Sequence, residues 1–113
     1  MMTSNVNMLD ACVLACLESG PSYGYVLTQK MMKAVECSES TLYPILRRLE
    51  KAGLLSSCST VVNGRNRRLY QITAAGRDEL SSMREEWEKY KSSVDRLLLG
   101  QEGGSYDKEE FSC

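Results

Sequence analysis

The chain has 113 residues, a hydrophobic fraction of 42% and a formal net charge of −1. This length allows one domain with a modest core, and a domain of this size often gains stability by forming oligomers. The sequence has no run of about 18 apolar residues and no secretion signal, so we expect a cytoplasmic protein with no membrane partner.

The cysteines and the absence of histidine limit the chemistry that we expect. Five scattered cysteines without a Cys-x-x-Cys pair predict neither a disulfide framework nor a zinc site. Cys12 and Cys16 lie four residues apart on a predicted helix, and we interpret both as core residues. Without histidine, a Ser-His-Asp or Cys-His catalytic arrangement is ruled out. We therefore expect no enzyme activity, no cofactor and no metal.

The charges are unevenly distributed along the chain. Residues 1–40 carry a charge of −2 and residues 74–113 carry −4, whereas residues 41–73 carry +5 because six basic residues there are opposed by Glu50 alone. A compact basic segment between acidic flanks is typical of a surface that binds phosphates.

The first part of the chain predicts two helices. Apolar residues at helical spacing predict the first helix from about residue 5 to residue 19, and Gly20-Pro21 ends it. Ser22 is predicted to cap a short second helix that ends before Glu36. The apolar stripe of this helix is Tyr23, Leu27, Met31 and Val35.

Residues 38–52 predict a third helix, which Gly53 ends. Its apolar face consists of Leu42, Ile45, Leu46 and Leu49. Pro44 is unusual because proline fits well only in the first turn of a helix. If the cap is Ser38 rather than Ser40, Pro44 lies one turn deeper, and we expect an irregular backbone there.

A hairpin and a long helix follow. The runs 56–62 and 67–73 favour strands, and Asn63-Gly64 between them favours a tight turn. Thr73 is predicted to cap a helix over residues 74–99, and residues 100–113 are predicted to be a polar, disordered tail. This order predicts a mainly α (α+β) winged helix-turn-helix, with a DNA-binding domain over residues 1–73 and a C-terminal dimerisation helix.

The third helix and the hairpin carry the candidate DNA contacts. A recognition helix buries one face and presents polar and basic side chains to the major groove. On the third helix the candidates are Ser40, Thr41, Tyr43, Pro44, Arg47 and Arg48. In the hairpin, which we call the wing, they are Arg65, Arg67 and Arg68, whose guanidinium groups suit phosphates or a minor groove.

The long helix has an apolar seam with alternating spacings of three and four residues. Its members are Leu80, Met83, Trp87, Tyr90, Val94 and Leu97. We interpret this seam as a dimer interface, since a two-fold dimer matches a palindromic DNA site. Packing against the chain's own first helix is an alternative, and both can hold because a helix of some 25 residues is about 37 Å long.

Three motifs resemble the PadR family of bacterial transcriptional repressors. They are GPSYGY at residues 20–25, STLYPILRRLEKAGL at residues 40–54 and RLYQITAAG at residues 68–76. The motifs have the family's order and spacing across residues 6–99. The resemblance implies a homodimeric repressor that binds a palindromic operator in double-stranded DNA.

The resemblance also assigns individual residues. It places Thr41, Tyr43 and Pro44 on the DNA-reading helix, and Tyr23 and Tyr25 on the helix that supports it. Leu69 departs from the family's pattern, which usually has two successive aromatic residues in that strand. The resemblance therefore does not imply a contact from a side-chain hydroxyl group of this strand.

Trp87 lies eleven residues after Gly76, the same interval as a tryptophan that stacks flat aromatic compounds between the subunits of some multidrug-binding PadR relatives. The resemblance implies that a planar hydrophobic effector releases the repressor from DNA. The residues implied in binding it are Trp87, Met83, Tyr90 and Met8. From the residues alone, a single tryptophan at such a seam position is most often a packing residue, because its large surface anchors interfaces.

Two other functions remain open from the sequence. One is a winged-helix module that binds protein without specific DNA binding, because fold does not determine function. The other is a thiol-based sensor, for which Cys58 near the wing is the candidate.

Overall fold

The structure is a computed structural model that describes residues 8–100. Within this range the helices are α1 (Met8–Cys16), α2 (Gly24–Ala34), α3 (Glu39–Lys51) and α4 (Ala74–Leu99), and the strands are β1 (Ser22–Tyr23), β2 (Leu55–Val62) and β3 (Arg65–Ile72). Helices α2 and α3 form the helix-turn-helix, and β2 with β3 forms the wing, so the predicted winged helix is confirmed. The predicted start of the first helix and the tail at 101–113 lie outside the described residues.

One hydrophobic core joins the helices to the sheet. The predicted apolar face of α3 is buried in full, and Leu80 and Met83 of α4 are buried with it. The other large members of the core are Val13, Leu14, Leu17, Leu27, Met31, Leu55, Tyr70 and Ile72. The first part of α4 therefore belongs to the same packed domain as the recognition helix.

The wing has the predicted Asn63-Gly64 turn. Strands β2 and β3 pair antiparallel from Leu55 opposite Ile72 to Val62 opposite Arg65. Asn63 and Gly64 have φ values of 53° and 78°, which are the left-handed conformations that a two-residue hairpin turn requires.

The prediction that Ser22 caps the second helix is wrong. Ser22 and Tyr23 form β1, which pairs antiparallel with β3 and gives the sheet order β1-β3-β2. The Ser22 hydroxyl donates to the carbonyl of Tyr23, and Tyr23 precedes α2 without a side-chain cap. Pairing with β3 therefore holds the backbone extended where a capping turn was expected.

The expected irregularity at Pro44 is also absent. Helix α3 begins after Ser38 and continues through Pro44 to Lys51. The proline removes one helical hydrogen bond, to the carbonyl of Ser40 in the first turn. Since that residue is exposed near the helix end, water can satisfy the carbonyl.

Thr73 caps α4 as predicted and also anchors it. Its hydroxyl accepts a hydrogen bond from the backbone N–H of Gly76 at 3.0 Å and donates one to the carbonyl of Gly53 at 2.8 Å. Gly76 is buried against the carbonyl of Leu54. The start of α4 is thereby fixed to the loop that ends α3. Gly100, with a φ of 62°, ends the helix where predicted.

Candidate nucleic-acid interface

A groove of roughly 560 Å³ separates α3 from the wing, and we call it the helix–wing groove. Its lining residues are Gly24, Tyr25, Tyr43, Arg47, Glu50, Asn66, Arg67, Arg68 and Tyr70. The structure thus brings together four of the predicted DNA contacts, Tyr43, Arg47, Arg67 and Arg68. They come from two elements that are some 20 residues apart in the chain.

Arg67 and Tyr25 meet across this groove. The guanidinium carbon of Arg67 lies 4.4 Å from the centroid of the Tyr25 ring, within the range of a cation–π interaction. The ring of Tyr23 stacks beside Tyr25, with centroids 6.1 Å apart. Tyr25 was expected only on the supporting helix, whereas it also forms a wall of the groove.

A hydrogen-bonded chain joins the wing to α3 on the other side of the groove. Arg68 donates to the Ser57 hydroxyl at 2.8 Å, and that hydroxyl donates to the Glu50 carboxylate at 2.6 Å. Glu50, the one acidic residue of the basic segment, therefore orients the wing. This role of Glu50 and Ser57 was not predicted, because it depends on the fold.

Tyr70 lies at the buried base of the groove. Burial raises the pKa of its hydroxyl above the ordinary value, although Arg68 and Arg47 nearby act in the opposite direction. The hydroxyl is therefore protonated at neutral pH and available as a hydrogen-bond donor.

The amino-terminal end of α3 presents a cluster of hydroxyl groups. The Ser38 Oγ lies 3.0 Å from the Ser40 Oγ and 3.2 Å from the Thr41 Oγ1, all at exposed positions. Pro44 is exposed on the next turn. Hydroxyls at this end of a recognition helix suit contacts with bases or phosphates.

The structure does not gather all five predicted arginines in the groove. Arg65 lies at the exposed hairpin tip, opposite Val62. Arg48 points the other way, and its Nη2 lies 2.6 Å from both carboxylate oxygens of Asp10 on α1. Asp10 was not predicted from the sequence as a partner of Arg48. An acidic residue between Leu9 and Val13, on an otherwise apolar helix, is the signal that would have revealed it.

A second groove, of roughly 190 Å³, lies between α1 and α4, and we call it the α1–α4 groove. It is lined by Met8, Ala11, Cys12, Ala15, Leu80, Met83, Arg84 and Trp87. On its other side, Trp87 borders a depression of roughly 310 Å³ with Tyr90, whose ring centroid is 6.2 Å away. The other three predicted ligand-binding residues therefore lie on both sides of Trp87, with Met8 and Met83 in the α1–α4 groove and Tyr90 in the depression.

The seam of α4 divides into two parts. Leu80 and Met83 are 2% and 1% exposed because they pack within the protomer, and the Glu18–Arg84 ion pair at 2.8 Å joins the turn after α1 to α4. This hydrogen bond to Arg84 lowers the pKa of Glu18. Further along, Trp87, Tyr90 and Leu97 are 37%, 45% and 85% exposed. The first part of the seam is therefore buried within the protomer, whereas the second part is exposed on its surface.

The cysteines of residues 8–100 differ in their exposure to solvent. Cys12 and Cys16 are only partly buried beside the core, and this burial raises the pKa of both thiols, whereas Cys58 is exposed on β2. In this range no cluster of three metal-ligating side chains occurs, and no helix is long and apolar enough to cross a membrane.

A family model described as the transcriptional regulator PadR-like family matches residues 13–82. The chain belongs to this family. Among the curated relatives of this PadR-like protein, a transcriptional regulator of Mycobacterium tuberculosis is 44% identical over 73 residues, which are 64% of this chain and 68% of the relative. An uncharacterised protein of Lysinibacillus sphaericus is 30% identical over 99 residues, 83% of this chain and 91% of the relative.

Solved structures give the same result. A Streptococcus mutans protein has a TM-score of 0.77 and 35% identity, covering 94% of this chain and 100% of that protein. A PadR family transcription regulator of Clostridium difficile has a TM-score of 0.74 and 27% identity, and the match covers 81% of this chain and 99% of that protein. The PadR-like protein therefore has the fold of a DNA-binding transcriptional regulator.

Proposed function

We propose that this PadR-like protein is a homodimeric repressor that binds a palindromic operator in double-stranded DNA. The observation that carries this proposal is the helix–wing groove, where Arg47, Arg67 and Arg68 converge with tyrosines between α3 and β3. Clustered arginines next to a recognition helix supply the phosphate attraction that dominates DNA affinity.

In the proposed complex, α3 lies in the major groove with Ser40, Thr41 and Tyr43 at the bases and Pro44 against the groove wall. Arg47 reaches either a phosphate or a guanine edge. The wing follows the adjacent backbone, where Arg65 at the hairpin tip extends the reach of Arg67 and Arg68.

The proposed dimer interface is the exposed part of the α4 seam, from Trp87 through Tyr90 and Val94 to Leu97. An apolar stripe of this length on a helix that extends beyond its own domain is stabilised by a second copy. The exposed part of α4 would then join two DNA-binding domains, while its first part stays packed in the core of each. Two-fold symmetry suits operator half-sites one helical turn apart.

We further propose that a flat hydrophobic ligand binds beside Trp87 and releases the operator. The α1–α4 groove of one protomer, at roughly 190 Å³, is smaller than the roughly 300–1,000 Å³ of typical ligand sites. A second copy at the α4 seam would enlarge it. Met8, Met83 and Tyr90 would then complete the apolar walls around Trp87.

The test is selection of duplexes from a randomised DNA pool, followed by titration of the selected duplex at several salt concentrations. We expect a palindromic sequence, and an affinity whose logarithm falls linearly with the logarithm of salt concentration. Arg67→Gln should reduce this slope by about one. Arg96→Gln, which removes the same charge near the far end of α4, is the matched control and should not.

Binding without sequence preference, or no binding, would contradict the proposal. That outcome would favour a winged-helix module that binds only proteins.

A further inference from the structure

The carboxyl-terminal half of α3 is held from two sides by polar contacts. Glu50 accepts a hydrogen bond from Ser57 of the wing, and Arg48 binds Asp10 of α1. Arg47, which immediately precedes Arg48 in the chain, borders the helix–wing groove. The two adjacent arginines of the recognition helix therefore have different surroundings. Arg47 lines the helix–wing groove, whereas Arg48 is bound to the Asp10 carboxylate of α1.

The Asp10 carboxylate is almost fully removed from water. Asp10 is 1% exposed, whereas the Arg48 side chain is 47% exposed. A buried carboxylate is stable only with charged or hydrogen-bonding partners, and both of its oxygens lie 2.6 Å from Arg48 Nη2. Arg48 is therefore directed to one point on α1.

A buried ion pair often adds little net stability compared with an apolar pair of similar size, and its best-supported use is to specify one arrangement among several. The apolar face of α3 permits small shifts along the core, because aliphatic contacts are not directional. The Asp10–Arg48 pair is directional and joins two helices. A directional contact of this kind can restrict rotation and shift of one helix relative to the other.

We propose that Asp10 is a positioning residue for operator recognition. By holding Arg48 on α1, it fixes α3 so that Thr41, Tyr43 and Arg47 are presented to DNA, and it withholds Arg48 from the phosphates. This inference rests on the proposed function. Helix α1, which the pair joins to the recognition helix, also lines the α1–α4 groove through other residues, Met8, Ala11, Cys12 and Ala15.

The first experiment compares Arg47→Gln with Arg48→Gln, the same change at adjacent positions. Affinity is measured against salt concentration for the duplex that the wild-type protein selects and for a scrambled duplex of equal length. Arg47→Gln should reduce the salt slope by about one, as expected for loss of a phosphate contact. Arg48→Gln should leave the slope unchanged and lower the ratio of specific to scrambled affinity by about tenfold. A slope reduced by about one in Arg48→Gln would overturn the proposal.

The second experiment separates positioning from folding. The double variant Asp10→Leu with Arg48→Met replaces both charges with apolar groups, a change that buried ion pairs commonly tolerate. We expect a folded dimer by circular dichroism and light scattering, unchanged affinity for scrambled DNA, and a specificity ratio about tenfold below wild type. A folded double variant with the wild-type ratio would overturn the role of Asp10. A wild-type protein without any preference for its selected duplex would instead overturn the proposed function, and this inference with it.

Discussion

The guanidinium of Arg67 lies over the ring of Tyr25, 4.4 Å from its centroid, and so joins the wing to helix α2. Tyr25 also stacks on Tyr23 of β1, which pairs with β3. The arginine is thus held by an aromatic pair instead of moving freely in solvent. A cation with fewer accessible conformations loses less entropy when it binds a phosphate.

We predict that Tyr25→Leu weakens operator binding by about two- to fivefold. A cation–π interaction at an exposed site contributes about 0.5–1 kcal/mol, which corresponds to this range of affinity if the contact preorganises Arg67. Tyr25→Phe retains the ring and should bind within about twofold of wild type. Fluorescence anisotropy with the selected duplex measures both. Equal losses in the two variants would instead indicate a direct contact from the Tyr25 hydroxyl.

We predict that Gly76→Ala destabilises the protein, although glycine to alanine normally stabilises a helix by up to about 1 kcal/mol. An added Cβ would collide with the carbonyl oxygen of Leu54 and lie 2.7 Å from the Ile72 Cγ1. Crowding of this kind costs about 1–3 kcal/mol. The free energy of unfolding, measured by urea denaturation, should therefore fall by about 1–3 kcal/mol.

The matched control for Gly76→Ala is Ser81→Ala, at an exposed position of the same helix. It should leave the free energy of unfolding unchanged or raise it slightly, as helix propensity predicts. A Gly76→Ala variant as stable as this control would show that the loop carrying Leu54 moves to accommodate the methyl group.

Local signals in the sequence predicted much of the fold. The Asn63-Gly64 turn and the Thr73 cap depend on residues within four positions of each other, so the sequence alone specifies both. The apolar face of α3 was predicted for a similar reason, because helical periodicity repeats within one element.

Contacts between distant residues were not predictable in the same way. Strand β1 has two residues, too few for a periodic pattern, and it exists because β3 offers a pairing edge. The Asp10–Arg48 pair joins residues 38 positions apart. Sequence patterns placed the arginines of the basic segment in one group, but only the fold distinguishes Arg48 from Arg47.

The α4 seam predicts different outcomes for two similar substitutions. Leu97→Asp should give a folded monomer, since Leu97 is 85% exposed within the protomer, while in a dimer the charge would be buried without a partner. Leu80→Asp should instead unfold the domain, because Leu80 is 2% exposed in its core. Light scattering and circular dichroism distinguish these outcomes.

The matched control for Leu97→Asp is Leu99→Asp, two residues further along α4 and off the seam, at a position that is 63% exposed. It should remain dimeric. If Leu97→Asp also remains dimeric, the exposed part of the seam is not the interface. If Leu80→Asp folds normally, the assignment of Leu80 to the protomer core is wrong.

The last prediction concerns Trp87, the single tryptophan of the chain, whose fluorescence therefore reports on this site alone. A flat aromatic cation that stacks on the ring combines apolar burial with cation–π attraction, so ethidium should quench the native protein in the absence of DNA. Trp87→Ala should lower ethidium affinity, measured by calorimetry, at least about tenfold, which corresponds to about 1.4 kcal/mol. Tyr90→Phe keeps the neighbouring ring and should bind nearly as well as the native protein.

The same variant decides whether Trp87 binds a ligand or holds the dimer together. The ring is 37% exposed and borders both the α1–α4 groove and the depression beside Tyr90, so a ligand can reach it from either side. If it serves a ligand, Trp87→Ala should remain dimeric and keep its operator affinity within about threefold, since the recognition helices are unchanged. Dissociation of Trp87→Ala into monomers, with no quenching of the native protein by ethidium, would identify Trp87 as a packing residue and exclude a stacked aromatic effector.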